Sequence, residues 1–184
     1  MEFSDQALMH RWQQGDAAAF EVLVRRWEGP VARFLARYGN NPEQTADGLQ
    51  EVFLRVYRAG HGYRPKAAFS TWLFQIALNV ARDAARRHRP MAPLDGYEPI
   101  DDAEPSTTAF SREAKNAVDR ALAMLPEPLR VVLVLRHYQG MSFEEMSRVC
   151  ATPASTLKSR FAVALEKLRT LLQPLESDFK ESPS

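Results

Sequence analysis

The chain has 184 residues, of which 45% are hydrophobic and 26% are charged, a composition typical of a soluble globular protein with one ordinary domain or two small ones. No apolar run approaches the roughly 20 residues that cross a bilayer, and the start lacks the features of a signal peptide. With one cysteine and so no internal disulfide, we expect a cytoplasmic protein. The net charge of +1 is uneven, because residues 1–90 carry 13 Lys and Arg against 9 Asp and Glu, whereas residues 91–112 carry one Arg against five acids.

Four helices are predicted in the first 90 residues from capping residues and apolar spacing. Asp16 caps the long second helix, inside which Pro30 should kink or divide the helix because it lacks a backbone donor. Asn41 caps the third helix, and Ser70 or Thr71 caps the fourth. This pattern indicates a helical domain.

The third and fourth helices carry polar residues that the core does not need. The third buries an apolar stripe and leaves a polar strip toward solvent or a partner. The stripe is Leu49, Val52, Phe53, Val56 and Tyr57, and the strip is Asp47, Gln50, Glu51 and Arg55. The fourth ends in an arginine cluster from Arg82 to Arg89. Cations stabilise a helix C-terminus through the helix dipole, and this explains part of the cluster. Four arginines are more than the dipole requires, so the cluster also favours phosphate binding.

Residues 91–110 separate these helices from the rest of the chain. Prolines and acids dominate this segment, which has few large apolar residues, so we expect a flexible or extended linker. The fold class is therefore all-α, with two small helical domains at 1–90 and 111–175 and a polar, frayed tail at 176–184.

A helix-turn-helix is predicted near the end of the second domain. Gly140 ends one helix in a left-handed conformation, and Ser142 with Glu145 has the spacing of a capping box that starts the next. Thr152 then caps another helix, with Pro153 at its first position. Two short helices joined by a tight turn are the layout of a DNA-binding helix-turn-helix.

The second helix of this motif has an apolar side and a polar side. The apolar side is Leu157, Phe161, Leu165, Leu168 and Leu172; the opposite face is Ser155, Ser159 and Ala162, flanked by Thr156, Lys158 and Arg160. Small hydroxyl residues between cations suit a helix lying in the major groove of DNA. The alternative is an ordinary solvated face of a helical hairpin.

No catalytic or metal site is predicted. The sequence has no phosphate-binding glycine loop, no Cys/His cluster at ligand spacing and no nucleophile–base pair. We therefore expect no enzyme activity and no cofactor.

Seven segments of the chain together match a known pattern; they are residues 20–27, 47–57, 69–79, 82–83, 125–126, 135–146 and 155–160. No single segment is decisive, but their order and spacing are specific. Through them, the chain resembles bacterial RNA polymerase sigma factors of the extracytoplasmic-function (ECF) group over nearly its whole length.

The resemblance implies roles for three sets of residues. Within the polar strip, Asp47, Gln50 and Glu51 would bind the clamp helices of core RNA polymerase. The minus-ten promoter element would be bound and opened by Tyr63, Arg64, Lys66, Trp72, Asn79, Arg82, Arg86 and Arg87, although Trp72 also suits a core position. The minus-thirty-five element would be bound by Arg136, Ser155, Thr156, Lys158, Ser159 and Arg160.

Two positions depart from the family pattern. Gly48 stands where the family usually has leucine, and Ser155 replaces a frequent glycine.

An anti-sigma factor is a common partner in the resembling group. The alternatives are a stand-alone helix-turn-helix regulator that binds duplex DNA, and a protein that occupies polymerase without initiating transcription.

Overall fold

The structure, a computed structural model, describes residues 3–39, 41–64, 67–87 and 109–180. Within these ranges it is all-α, as predicted. The first domain contains α1 (Asp5–Gln13), α2 (Ala17–Tyr38), α3 (Pro42–Gly60) and α4 (Phe69–Arg87). The second contains α5 (Ala109–Met124), α6 (Glu127–Leu133), a π-helical turn (Val134–Tyr138), α7 (Phe143–Cys150) and α8 (Ala154–Lys180). None of the described helices combines the length and the apolar character that a membrane span requires.

Most helix starts follow their capping residues, because a cap is a local interaction. In four helices, the side chain at the N-cap accepts a hydrogen bond from a backbone N–H three residues later; these caps are Ser4, Asp16, Asn41 and Ser142. The predicted cap of α4 at Ser70 or Thr71 is wrong, since α4 begins at Phe69. Phe69 is buried in the core, so packing rather than a cap sets this start.

The prolines do not interrupt the helices in which they lie. α2 continues through Pro30 as one helix of 22 residues, so the chain is not divided there. α8 likewise continues through Pro174 to Lys180, so it extends into the tail predicted at 176–184. Residues 91–108 of the predicted linker lie outside the described residues, and α5 begins at Ala109.

The buried face of α8 differs from the predicted one by one position. Leu157 is fully buried as expected, but Leu165 is 46% exposed, whereas Ala164 beside it is 0% exposed. Both α5 and α6 pack on α8, and Ala164 belongs to the core cluster that these helices share. The side of α8 that faces α5 and α6 is therefore the one that carries Ala164, and Leu165 lies toward solvent.

The two domains pack against each other. α4 contacts α7, and α2 contacts α5, α6 and the π-helical turn. Buried residues of both domains therefore belong to one apolar cluster, which includes Phe34 and Leu73 of the first domain and Leu135 and Met146 of the second.

Candidate functional site

The helix-turn-helix presents the polar face of α8 to solvent. Ser155, Lys158 and Ser159 are exposed, whereas Thr156 and Arg160 at the edges of this face are half-buried. Ser159 Oγ donates to the carbonyl of Ser155 at 3.2 Å. The predicted face is thus brought together on one side of α8, and its small hydroxyl side chains allow close approach to a DNA groove.

Arg136 lies beside this face, although it is far from it in sequence. Arg136 Nη1 donates to the carbonyl of Met141 at 2.8 Å, and its guanidinium lies 5.1 Å from the centroid of the Phe143 ring. The ammonium of Lys158 lies 5.9 Å from the same centroid. The exposed cations of Arg136 and Lys158 therefore both lie near the Phe143 ring. Two cations in this arrangement suit contacts to neighbouring phosphates.

The turn of the motif depends on a residue that sequence patterns do not mark. Ala151 has φ of 50°, a left-handed conformation that alanine rarely adopts. The Thr152 hydroxyl donates to the carbonyl of Cys150 at 3.1 Å, and α8 begins at Ala154, one residue later than predicted. Ser142 and Glu145 form the predicted capping box, whose hydrogen bonds from Ser142 lower the pKa of Glu145.

An aromatic cluster lies at the loop between α3 and α4. The ring of Tyr63 lies 4.8 Å from that of Trp72 and 6.0 Å from that of Phe69. Within the part of the chain that the structure describes, the Tyr63 hydroxyl is buried without a hydrogen-bond partner, and burial raises its pKa. Gln13 Nε2 fixes the loop by donating to the carbonyls of Gly60 and Tyr63 at 2.7 and 3.0 Å.

The other predicted minus-ten residues differ in how far they are exposed to solvent. Arg64 and Asn79 are exposed, whereas Trp72 is half-buried and belongs partly to the core, as the alternative interpretation held. Lys66 lies outside the described residues.

The described arginines at the end of α4 donate hydrogen bonds to carboxylate or carbonyl oxygens of the chain. Arg82 Nε donates to Glu127 of α6 at 3.1 Å, and Arg86 pairs with Asp83. Arg87 donates to the carbonyl of Asp83 at 3.3 Å. Hydrogen bonds from Arg55 and then from Arg86 hold the pKa of Asp83 below its ordinary value. The cluster is therefore cationic but largely paired within the chain.

The polar strip of α3 faces two different surfaces. Asp47 and Glu51 line a charged cleft of about 850 Å³ between α3 and α4, where Glu51 accepts a 2.7 Å hydrogen bond from Arg55. Gln50 is exposed and lines a second concavity, on the side of α3 that faces α2. The structure therefore separates Gln50 from the other three residues of the strip, since Arg55 lines the same charged cleft as Asp47 and Glu51.

This second concavity is an apolar groove that sequence analysis missed. It has a volume of about 580 Å³ and is lined by Phe20, Val24, Leu49, Phe53, Leu54 and Tyr57 with Glu28, Ala46 and Gln50. Leu54 is 41% exposed and Tyr57 is 52% exposed, so the assignment of Tyr57 to the buried stripe is wrong. The signal was present, since Leu49 to Tyr57 contains more apolar residues than one helix face can bury.

Comparisons with known families match both domains. The family model described as Sigma-70 region 2 matches residues 23–90, and that described as Sigma-70, region 4 matches residues 115–168. The RNA polymerase sigma-H factor of Pseudomonas aeruginosa is 34% identical over 93% of this chain and 95% of its own length. The ECF RNA polymerase sigma-E factor of Escherichia coli is 34% identical over 95% of this chain and 97% of its own.

Solved structures with this fold have the same two-domain extent. CnrH, in complex with the cytosolic domain of CnrY, matches with a TM-score of 0.72 and 26% identity over 92% of this chain and 97% of its own. The sigma factor RpoE of Bartonella quintana, in complex with the anti-sigma factor NepR, shares the fold with a TM-score of 0.70 and 20% identity. That match covers 84% of this chain and 96% of the RpoE chain.

Proposed function

The chain belongs to the ECF group of RNA polymerase sigma factors, and from that premise we propose how its surfaces bind polymerase and a promoter. The chain acts as an alternative sigma factor that binds core RNA polymerase and directs promoter recognition and melting, without catalytic chemistry of its own. This work takes place where the polymerase is, in the cytoplasm. We assign residues 1–90 to polymerase and the minus-ten element, 91–110 to the linker, 111–175 to the minus-thirty-five element and 176–184 to the tail.

The observation that carries this proposal is the presence, in one chain, of a cationic helix face on the second domain and an exposed apolar groove on the first. The face of α8 suits duplex DNA, and the groove suits a protein partner because it exposes large apolar side chains. A stand-alone regulator has no need of the second surface.

Polymerase binding is assigned to the groove together with Gln50, Asp47 and Glu51. The groove supplies apolar area, while Gln50 at its edge and the two carboxylates beyond it supply polar contacts. This division matches interfaces in general, in which an apolar centre is surrounded by a polar rim.

Minus-ten binding is assigned to the aromatic cluster and the α4 cations. The cluster of Tyr63 and Trp72 offers ring faces on which an unstacked base can stack, and Arg64 and Asn79 lie exposed nearby in sequence. Lys66, Arg82, Arg86 and Arg87 complete the proposed set. Minus-thirty-five binding is assigned to the exposed face of α8, with Arg136.

Reconstitution tests this function. The purified chain is added to core polymerase, and transcripts from genomic fragments are sequenced at their 5′ ends. Specific starts that depend on the chain are expected. Tight binding to duplex DNA without polymerase binding would favour the stand-alone regulator, and polymerase binding without transcripts would favour a protein that occupies the enzyme. An anti-sigma partner, such as the one in complex with the Bartonella quintana protein, would abolish these starts.

A further inference from the structure

The N-terminal part of α8 presents a face with small side chains at its centre. Ser155, Ser159, Ala162 and Val163 are all exposed, whereas Ala164 is 0% exposed and marks the buried side of the helix. In a helix-turn-helix, the first turns of the second helix enter the major groove, and their exposed side chains contact the edges of the bases. We therefore expect these four side chains to lie nearest the bases.

The long cationic side chains of this part of α8 are directed toward α7 rather than toward the centre of the face. The ammonium of Lys158 lies 5.9 Å from the centroid of the Phe143 ring, which belongs to α7. Arg160 is half-buried, and its charge acts on Cys150 of α7, where burial raises the pKa of the thiol to about 11 and the Arg160 charge opposes that rise. Cations at the edge of the face suit contacts to phosphates, which position a protein on DNA without selecting a base.

The hydroxyl at the centre of the face is oriented by the helix itself. Ser159 Oγ donates to the carbonyl of Ser155 at 3.2 Å. A hydroxyl has one hydrogen and two lone pairs, so Ser159 offers the groove an acceptor rather than a donor. Adenine N6 and cytosine N4 are the amino groups that a major-groove acceptor can bind, and one acceptor does not distinguish them. Selection of a base therefore needs a further contact.

Val163 can supply this contact. It is 45% exposed and lies one turn after Ser159, so the two residues are neighbours on the surface of α8. The apolar group that a base pair presents in the major groove is the C5 methyl of thymine, and apolar side chains recognise it by direct contact. Ala162, beside Val163, is small enough to let the helix approach the groove closely.

We propose that Val163 reads the methyl group of a thymine in the minus-thirty-five element. This contact rests on the proposed function, because α8 must bind the duplex for the contact to form. The readout ends one turn after Ala162, where Glu166 is exposed and its carboxylate is repelled by the phosphates. Base recognition is thus confined to roughly the first three turns of α8, at about 3.6 residues per turn.

The test removes the methyl group from the DNA and leaves the base pairing intact. Holoenzyme is reconstituted from core polymerase and the full chain, and its mapped start sites define the minus-thirty-five element. Each thymine of that element is then replaced in turn by 2′-deoxyuridine, which lacks the C5 methyl, in a promoter duplex. Holoenzyme binding should weaken about fourfold when the thymine that Val163 contacts is replaced, as expected for one buried methyl group.

Val163→Ala identifies the protein partner of this methyl group. The variant should bind the unmodified promoter about fourfold more weakly than the wild type, and it should lose most of its discrimination between thymine and uridine. Alanine is a better helix former than valine, so the substitution does not weaken α8. Leu165→Ala is the matched control, because Leu165 is 46% exposed on another side of the same helix. It should discriminate between thymine and uridine as strongly as the wild type.

Three results would overturn the proposed contact. They are wild-type binding that no uridine weakens, a Val163→Ala variant that keeps the full effect of uridine, and a Leu165→Ala variant that loses it. The second result would show that uridine acts through the shape of the DNA or through another residue. Absence of specific starts with core polymerase would refute the proposed function and the contact with it, whereas specific starts without any effect of uridine would refute the contact alone.

Discussion

Leu54 allows a direct test of the apolar groove between α2 and α3. The side chain is 41% exposed, so Leu54→Ala removes apolar surface that the fold itself leaves in water. Full burial of a leucine side chain contributes about 1.5–3 kcal/mol, and burial of the exposed two-fifths contributes about 1 kcal/mol. We therefore expect Leu54→Ala to weaken binding to core polymerase roughly fivefold.

The assay is equilibrium binding of a fluorescently labelled chain to core polymerase, followed by anisotropy. Val22→Ala is the matched control, since Val22 is 42% exposed but lines a different concavity between α1 and α2. Urea unfolding of both variants establishes that stability is unchanged. Equal affinity of Leu54→Ala and the wild type, or an equal loss for Val22→Ala, would show that the groove does not bind polymerase.

Three further predictions address α8, the α3 terminus and the turn before α7. Lys158→Ala with Arg160→Ala should weaken minus-thirty-five duplex binding and reduce the slope of log K against log salt by about 2, because each lost phosphate contact removes about 0.9. Gly60→Ala should destabilise the fold by about 1–3 kcal/mol in urea, since an added Cβ would lie 2.2 Å from the Trp12 ring. Ser142→Ala should cost about 1 kcal/mol in the same assay, because it removes the side-chain acceptor of the α7 cap.

Each of these predictions has a control within the chain. Lys167→Ala, at an exposed position of α8 beyond the recognition face, should leave the salt slope unchanged. Gly62→Ala places its Cβ no closer than 3.6 Å to any neighbour and should be nearly neutral. For the cap, Ser142→Asp keeps an acceptor at the N-cap and should restore most of the stability that Ser142→Ala loses. If Gly60→Ala were as stable as Gly62→Ala, the close contact at Trp12 would not limit this position.

Local interactions explain the parts of the fold that the sequence predicted well. The caps at Asp16, Asn41 and Ser142 were predicted because a cap depends only on a side chain and a backbone N–H three residues later. The left-handed Gly140, with φ of 64°, was predicted for the same reason. These features do not depend on which helix packs against which.

The prediction of the buried face of α8 was wrong where two adjacent residues could each lie on that face. Ala164 and Leu165 are adjacent on α8, and hydrophobicity alone favours the leucine as the buried residue. The packing of α5 and α6 on α8 determined which residue is buried, and it places Ala164 in the shared core cluster. Spacing within one helix carries no information about that packing.

The candidate site likewise has features that depend on one helix alone and features that depend on packing between helices. The exposed face of α8 follows from spacing within one helix, so Ser155, Lys158 and Ser159 were correctly placed together. The meeting of Arg136 with Lys158 on one aromatic ring requires α7 to lie against α8. Pairs such as Arg37 with Asp119 join residues 82 positions apart, and neither residue belongs to a recognisable motif.

A net charge of +1 does not exclude DNA binding, because the cations differ in whether a carboxylate of the chain already pairs with them. Arg82 and Arg86 are paired with Glu127 and Asp83, whereas Lys158 is exposed on α8. A paired arginine must exchange a carboxylate for a phosphate, so its net gain on binding DNA is smaller than that of an exposed lysine. If the proposed minus-ten assignment holds, we expect this binding to be weak until a larger partner holds the domain next to the DNA and raises its effective concentration. This is the behaviour expected of a subunit that selects promoters only as part of a polymerase holoenzyme.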